Sequence, residues 1–267
     1  MAETFEGHYP IESRIGEIER LLDQGTAMAP DTETMLDLMG LAEGWHCLDI
    51  GCGPRGITDI LSRGVGPTGR VVGLDMNKGF IDYARKSAAL NTEFIQSDAY
   101  GSGLSADSFD FVHMRFLAST AGDAEALLKE AIRLARPGGF IALQEPDATS
   151  LNCYPPHESW ETLKAALLGA FKGVGADLEL ARRLYFMVKQ SPVRDVQFRP
   201  FIVGVTSSDA MVDYLPSTVE SLRGTILNQK LLGEEELDRA LRECRAHLAL
   251  PDTSFTMYTV AQVWGRK

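Results

Sequence analysis

The chain has 267 residues, 45% apolar and 24% charged, a balance that suits one α/β core with additions rather than two large domains. Its formal net charge is −11, and its basic residues are scattered, which argues against nucleic acid as a partner. No apolar run approaches the roughly 20 residues that cross a bilayer, and the four cysteines (Cys47, Cys52, Cys153, Cys244) form no CxxC pair. The first ten residues are polar and acidic, unlike a secretory leader. These features lead us to expect a cytoplasmic protein with reduced thiols, no metal site and no membrane partner. Oligomeric state is not legible, a homodimer being one option.

In chain order, residues 10–39 read as helical, with Ile11, Ile15, Ile18 and Leu22 at three- and four-residue steps. A break is expected over residues 25–30, with Asp31 capping a second helix. Residues 45–50 read as a buried strand, 51–56 as a glycine-rich turn and 57–63 as the start of a helix. A strand over 70–75, a helix over 78–90 and a strand over 93–98 follow. Residues 109–114 form the fourth strand and 124–136 an amphipathic helix, with Leu127, Leu128, Ala131, Leu134 and Ala135 on its apolar stripe. Pro137-Gly138-Gly139 ends that helix, and residues 140–144 form the fifth strand.

The second half is less regular. Helices are expected over 158–171, 178–189, 208–222 and 234–248. Residues 196–205 read as a strand that Pro200 weakens, and 255–264 as the last strand. Strand–helix alternation implies a parallel sheet with right-handed crossovers and a ligand beyond the carboxyl ends of its strands.

The strongest local signal is Leu48-Asp49-Ile50-Gly51-Cys52-Gly53-Pro54-Arg55-Gly56. Gly51, Gly53 and Gly56 satisfy GxGxxG, which lets a backbone approach a ligand closely but is also found in NAD sites. The acids narrow the choice. Asp49 precedes the turn, where a carboxylate opposes a pyrophosphate and suits a cation. Asp75 ends the second strand, where carboxylates accept from ribose hydroxyls. Asp98 ends the third and can accept from an adenine amine. A ligand with an amine, a ribose, an adenine and no phosphate fits; S-adenosylmethionine has those parts.

With residues 71–75, Gln96-Ser97-Asp98-Ala99, Ser108-Phe109-Asp110-Phe111-Val112 and Leu134-Ala135-Arg136-Pro137-Gly138-Gly139, this turn resembles the class I S-adenosylmethionine-dependent methyltransferases. The likeness is to their small-molecule branch, which includes the ubiquinone/menaquinone methyltransferases. It spans about residues 44–145. It implies a Rossmann-like, doubly wound α/β fold: a seven-stranded, mostly parallel sheet whose last strand is antiparallel, with N-terminal helices and helical lid insertions. One domain over 1–267 would then divide into a helical cap (1–43), a cofactor-binding core (44–145) and the second half of the sheet with the substrate lid (146–267).

The resemblance also implies roles. Gly51, Cys52 and Gly53 would pack on the methionine end of the cofactor, and Asp49 would help hold its amino group. Asp75 would take the ribose, with Met76 against adenine; Asp98 would meet the adenine amine beside Ala99. Residues 113–115 would lie near the reacting methyl. His113 is a candidate general base, and Glu145 a candidate base or substrate contact. Arg115 is a candidate for the cofactor carboxylate or an anionic substrate, and Tyr9 for an aromatic closing over the site. Phe171, Tyr185, Phe186, Met187 and Tyr214 are candidate pocket walls. Asp110 reads as structural. Arg55 stands where the family's third glycine falls. The expected activity is methyl transfer to a small organic acceptor, yielding S-adenosylhomocysteine. Three alternatives are weighed: a non-methylating cyclisation or rearrangement on the same cofactor; a NAD-dependent oxidoreductase, which would share the glycine turn and Asp75 but not need Asp98; and a non-enzymatic binder, against which the intact rim acids argue.

Overall fold

In the computed structural model, which describes residues 16–267, the chain enters on one long helix, α1 (Glu17–Met39). The break expected at residues 25–30 does not occur, although Pro30 forfeits a helical hydrogen bond. Tertiary contacts outweigh that loss. Met28, Thr32, Met35, Leu36 and Met39 are buried along one face. Asp31 pairs with Arg199 at 2.6 Å, and its carbonyl accepts from Gln262 at 3.0 Å.

The sequence then alternates as expected: β1 (His46–Ile50), α2 (Thr58–Val65), β2 (Arg70–Asp75), α3 (Lys78–Arg85), β3 (Thr92–Gln96), β4 (Phe109–Arg115), α4 (Ala124–Leu134) and β5 (Ala135–Asp147). Three boundaries move. Asn77 caps α3, accepting from the Phe80 amide, but α3 stops at Arg85 and leaves Leu90 in solvent. β3 ends at Gln96, so Asp98 lies on the loop beyond it. β5 begins at Ala135, and its pairing with β4 shifts register between Phe109 and Phe111 to absorb the Pro-Gly-Gly turn.

The second half contributes β6 (Asn152–Tyr154), α5 (Glu158–Lys172), α6 (Ala181–Lys189), β7 (Arg194–Phe201) and β8 (Gly204–Thr206). It continues through α7 (Tyr214–Ser221), α8 (Arg223–Asn228), α9 (Glu234–Leu248), β9 (Ser254–Thr256) and β10 (Thr259–Arg266). Both late strands expected from the sequence are therefore split. Their inner pieces, β7 and β10, join the main sheet; β8 and β9 pair with β6 in a separate three-stranded sheet. Pro200 is tolerated because β7 is an edge strand.

The main sheet has seven strands in the order β3-β2-β1-β4-β5-β10-β7. β10, the last strand of the chain, runs antiparallel to both neighbours. Strand order reverses between β1 and β4, both parallel, and this switch point is where ligands bind in such sheets. One face of the sheet packs Ile50, Val112 and Leu143 against Leu127 and Leu184. The other packs Phe111, Ala142 and Trp264 against Met35, Leu36 and Leu61. A third apolar cluster, built on Trp160, Leu215, Leu237 and Phe255, joins the sheet beyond β4 and β5, where Phe116 and Ala148 pack against it.

Candidate active site

The turn after β1 needs its glycines. Gly51, Gly53 and Gly56 have φ of 70°, 55° and 54°, the left-handed region that side chains disfavour. A Cβ on Gly51 would also meet Leu117 Cδ1 at 2.9 Å, and one on Gly56 would run into Asp49 Oδ2. Cys52 is buried against Ile81, Ala84 and Phe94, and burial, then Asp49 and Asp75, push its thiol far above the usual value. Arg55 turns away to pair with Asp59 and the Ser87 hydroxyl.

The rim acids differ in their surroundings. Asp75 accepts from the Gly53 amide on Oδ2 and the Asn77 amide on Oδ1, both at 2.8 Å, so it braces the glycine turn. Burial raises its pKa, and those two amides oppose the shift. Met76 beside it is 66% exposed, an apolar ledge at the rim. Asp98 is exposed and accepts from the Tyr100 amide at 2.9 Å, with Ala99 half-buried next to it. Asp49 is buried instead. Its Oδ2 accepts from the Ile57 amide at 2.9 Å and its Oδ1 meets His113 Nδ1 at 2.7 Å. Asp110 accepts from the His46 amide and pairs with Arg136, the structural role expected of it.

His113, on β4, is wholly buried and belongs to a chain of side chains that crosses the sheet. Its Nε2 meets Gln144 Nε2 at 2.9 Å; Gln144 Oε1 accepts from Gln262 Nε2 at 3.0 Å; Gln262 Oε1 accepts from Arg199 Nη1 at 2.9 Å. Each donor points the same way, from the Arg199 guanidinium to the Asp49 carboxylate. That order puts the His113 proton on Nδ1 and leaves Nε2 as acceptor. Gln144, Gln262 and Arg199 escaped the sequence reading because their alignment depends on the register of β5, β10 and β7.

Glu145, on β5, is equally buried. Its two oxygens accept from the Ala118 and Ser119 amides at 2.9 and 3.1 Å, holding the turn after β4. Burial pushes its carboxyl up to about 7 despite those amides.

Arg115 ends β4 under α1. A Cβ on Gly25 would sit 3.5 Å from its Nη2, and one on Gly53 would sit 4.0 Å from Leu21, so α1 roofs both the guanidinium and the glycine turn. Its Nη1 is buried and has no hydrogen-bond partner. Burial draws this guanidinium below its usual pKa, with Asp49 and Tyr258 opposing. Next to it, Tyr258 bonds Gln24 and Tyr214, each at 2.9 Å. Of the candidate wall residues only Tyr214 lies here: Tyr185 and Phe186 are exposed, and Phe171 and Met187 fill apolar clusters. Gln24 and Tyr258 carried no motif that could have flagged them. Tyr9 lies outside the described residues. Among the described residues no group of three His, Cys, Asp or Glu side chains is arranged to hold a metal ion. A surface concavity of about 900 Å³, lined by Ser62, Arg63, Asn91 and Glu93, lies at the opposite rim, where β2 and β3 begin, and contains none of these groups.

Residues 47–139 match the family model described as a methyltransferase domain. A demethylmenaquinone methyltransferase of Staphylococcus aureus is 32% identical over 115 residues, 42% of this chain and 48% of the relative. The chain thus matches about half the length of that relative. A SAM-dependent methyltransferase from Aquifex aeolicus superposes with a TM-score of 0.52 at 18% identity, covering 93% of this chain and 99% of that one. A phosphoethanolamine N-methyltransferase of Haemonchus contortus, solved with phosphomonomethylethanolamine and S-adenosylhomocysteine, gives 0.58 at 14% identity, covering 94% and 57%. The strand order with its antiparallel last strand and the glycine turn are those of the class I S-adenosylmethionine-dependent methyltransferase fold, and residues 47–139 carry the match to a methyltransferase domain.

Proposed function

We propose that this protein transfers the methyl group of S-adenosylmethionine to a small organic acceptor. The observation that carries the proposal is the buried, unpartnered Nη1 of Arg115 beside a glycine turn. A buried guanidinium without an acceptor is costly, and a ligand carboxylate would satisfy it. The methionine end of the cofactor offers that carboxylate where the turn offers backbone. Asp75 would take the ribose hydroxyls, Met76 would lie against adenine, and Asp98 with Ala99 would meet its amine.

The bound cofactor supplies an electrophilic methyl on a positively charged sulfur. The chain's task is to align the acceptor with that methyl and exclude water, work that can lower a barrier by several kcal/mol. His113 and Glu145 fit positioning roles better than proton transfer, since the hydrogen bonds of both are spent on the protein: His113 fixes Asp49, and Glu145 fixes residues 118–119. The division into cap, cofactor core and lid belongs to the same proposal, as does a cytoplasmic location. Among the described residues no helix is long and apolar enough to cross a membrane.

Calorimetric titration with S-adenosylhomocysteine, with NAD as control, tests this. We expect micromolar binding of the homocysteine compound alone, weakened about tenfold or more by Asp75→Ala, the scale of one charged hydrogen bond. No binding, or tighter binding of NAD, would overturn the assignment. A labelled methyl group appearing on a small-molecule acceptor would complete it.

A further inference from the structure

We propose that the methyl acceptor binds against Tyr258, Tyr214 and Arg115 beneath α1, and that it is a small ring compound bearing an anionic oxygen rather than an amine. The inference rests on the cofactor assignment above. Arg115 ends β4, and Phe116 follows it with its ring edge-on to Tyr258 at 5.5 Å, so the cluster adjoins the rim where the methyl would be presented. Three aromatic rings line it: Phe116, Tyr214 and Tyr258.

Its hydrogen bonds are short of acceptors. Gln24 donates to the Tyr258 hydroxyl, and the two phenols are 2.9 Å apart. One phenolic proton serves that Tyr–Tyr bond. Tyr214 also faces the Arg20 guanidinium, 6.0 Å from its ring centre, and among the described residues Arg115 Nη1 has no acceptor. Burial raises both phenols, Tyr258 most, so they remain neutral donors at pH 7. Arg115 has five N–H donors, enough for a cofactor carboxylate on one edge and an acceptor oxygen on the other.

The nearby carboxylates are all committed. Glu17 holds Arg20 through two bonds of 2.8 and 2.7 Å. Asp49 holds His113 and Ile57; Glu145 holds Ala118 and Ser119. Among the described residues no nearby carboxylate remains to receive an ammonium group, which would also face the Arg115 charge. An oxygen anion meets the spare donors and the charge together.

The test uses the full chain saturated with S-adenosylhomocysteine and follows 4-fluorobenzoate and 4-fluorobenzylamine by fluorine NMR. Saturable binding of the benzoate and none of the amine is expected. Tyr258→Phe and Tyr214→Phe keep the rings and should weaken the benzoate about fivefold or more, the loss of one hydrogen bond, while S-adenosylhomocysteine affinity changes less than about twofold. Amine binding as tight as benzoate binding, no benzoate binding, or indifference to both substitutions would overturn the proposal. Failure of S-adenosylhomocysteine to bind, seen before any probe is added, would instead bring down the cofactor assignment beneath it.

Discussion

At the scale of single residues, the site is held by carboxylates that spend themselves on the protein. Gly56 is glycine because Asp49 Oδ2 occupies the place of its Cβ while accepting from Ile57. Glu145 is the extreme case. Its ordinary value is 4.5, and burial moves it to about 7. Below the first value the carboxyl is protonated in folded and unfolded chains; above the second it is ionised in both. Between them the unfolded chain loses its proton first. The stabilising contribution of Glu145 is therefore full below pH 4.5 and is lost as pH rises through 7. At about 1.4 kcal/mol per unit, the loss is on the order of 3 kcal/mol. Glu145→Gln lacks this titration. Urea unfolding of both proteins between pH 4.5 and 8 should show the wild-type advantage shrinking by that order, and parallel curves would refute it. The rim acids Asp49, Asp75 and Asp98 were legible in the sequence because each closes or follows a short strand. That Asp49 would face inward was not, since its partners Ile57 and His113 are set by the turn and by the β1–β4 register.

At the scale of elements, α1 shows why tertiary contacts defeat local punctuation. Gly25 and Pro30 read as a break, yet Gly25 faces Arg115, and Asp31, one residue after the proline, is tied to Arg199 and Gln262. The parallel core was readable from period and turn residues; the split of the late strands was not, because β8 and β9 exist only through pairing with each other and with β6. The cross-sheet chain from Arg199 to Asp49 links α1 and the edge strand to the glycine turn. Gln144 is its middle, and Gln144→Leu leaves His113 Nε2 buried without a donor, a cost of about 1–3 kcal/mol. Nitrogen-correlated NMR of wild-type protein should show His113 as the neutral Nδ1–H tautomer. In the variant the Nε2 resonance should shift as its donor is lost while Asp49 keeps the proton on Nδ1, with S-adenosylhomocysteine bound several-fold more weakly. An unchanged His113 signature and unchanged affinity would show that the chain does not position the turn.

At the scale of the whole molecule, three apolar clusters meet at the site from different directions. Two flank the sheet and fix β1, β4 and β5; the third carries Tyr214 and Tyr258 on the second half of the chain. α1 belongs to two of them, with Met28 in the third cluster and Met35, Leu36 and Met39 against the sheet. Its amino-terminal half, by contrast, lies over Gly53 and Arg115, where a buried donor is unpartnered. A bound cofactor should therefore stabilise the molecule unevenly. Saturation at 100 times Kd adds about 2.7 kcal/mol to global stability. Amides of the sheet open only by global unfolding and should gain that much protection from hydrogen exchange. Amides of α1 near Leu21 and Gly25 should gain up to the same amount where their opening uncovers the cofactor, whereas segments whose local opening leaves it in place gain nothing. Hydrogen exchange with and without S-adenosylhomocysteine separates the cases. A gain in the first half of α1 and at Arg115 that matches the sheet's supports the roof, whereas no gain there would mean that α1 is only a structural brace.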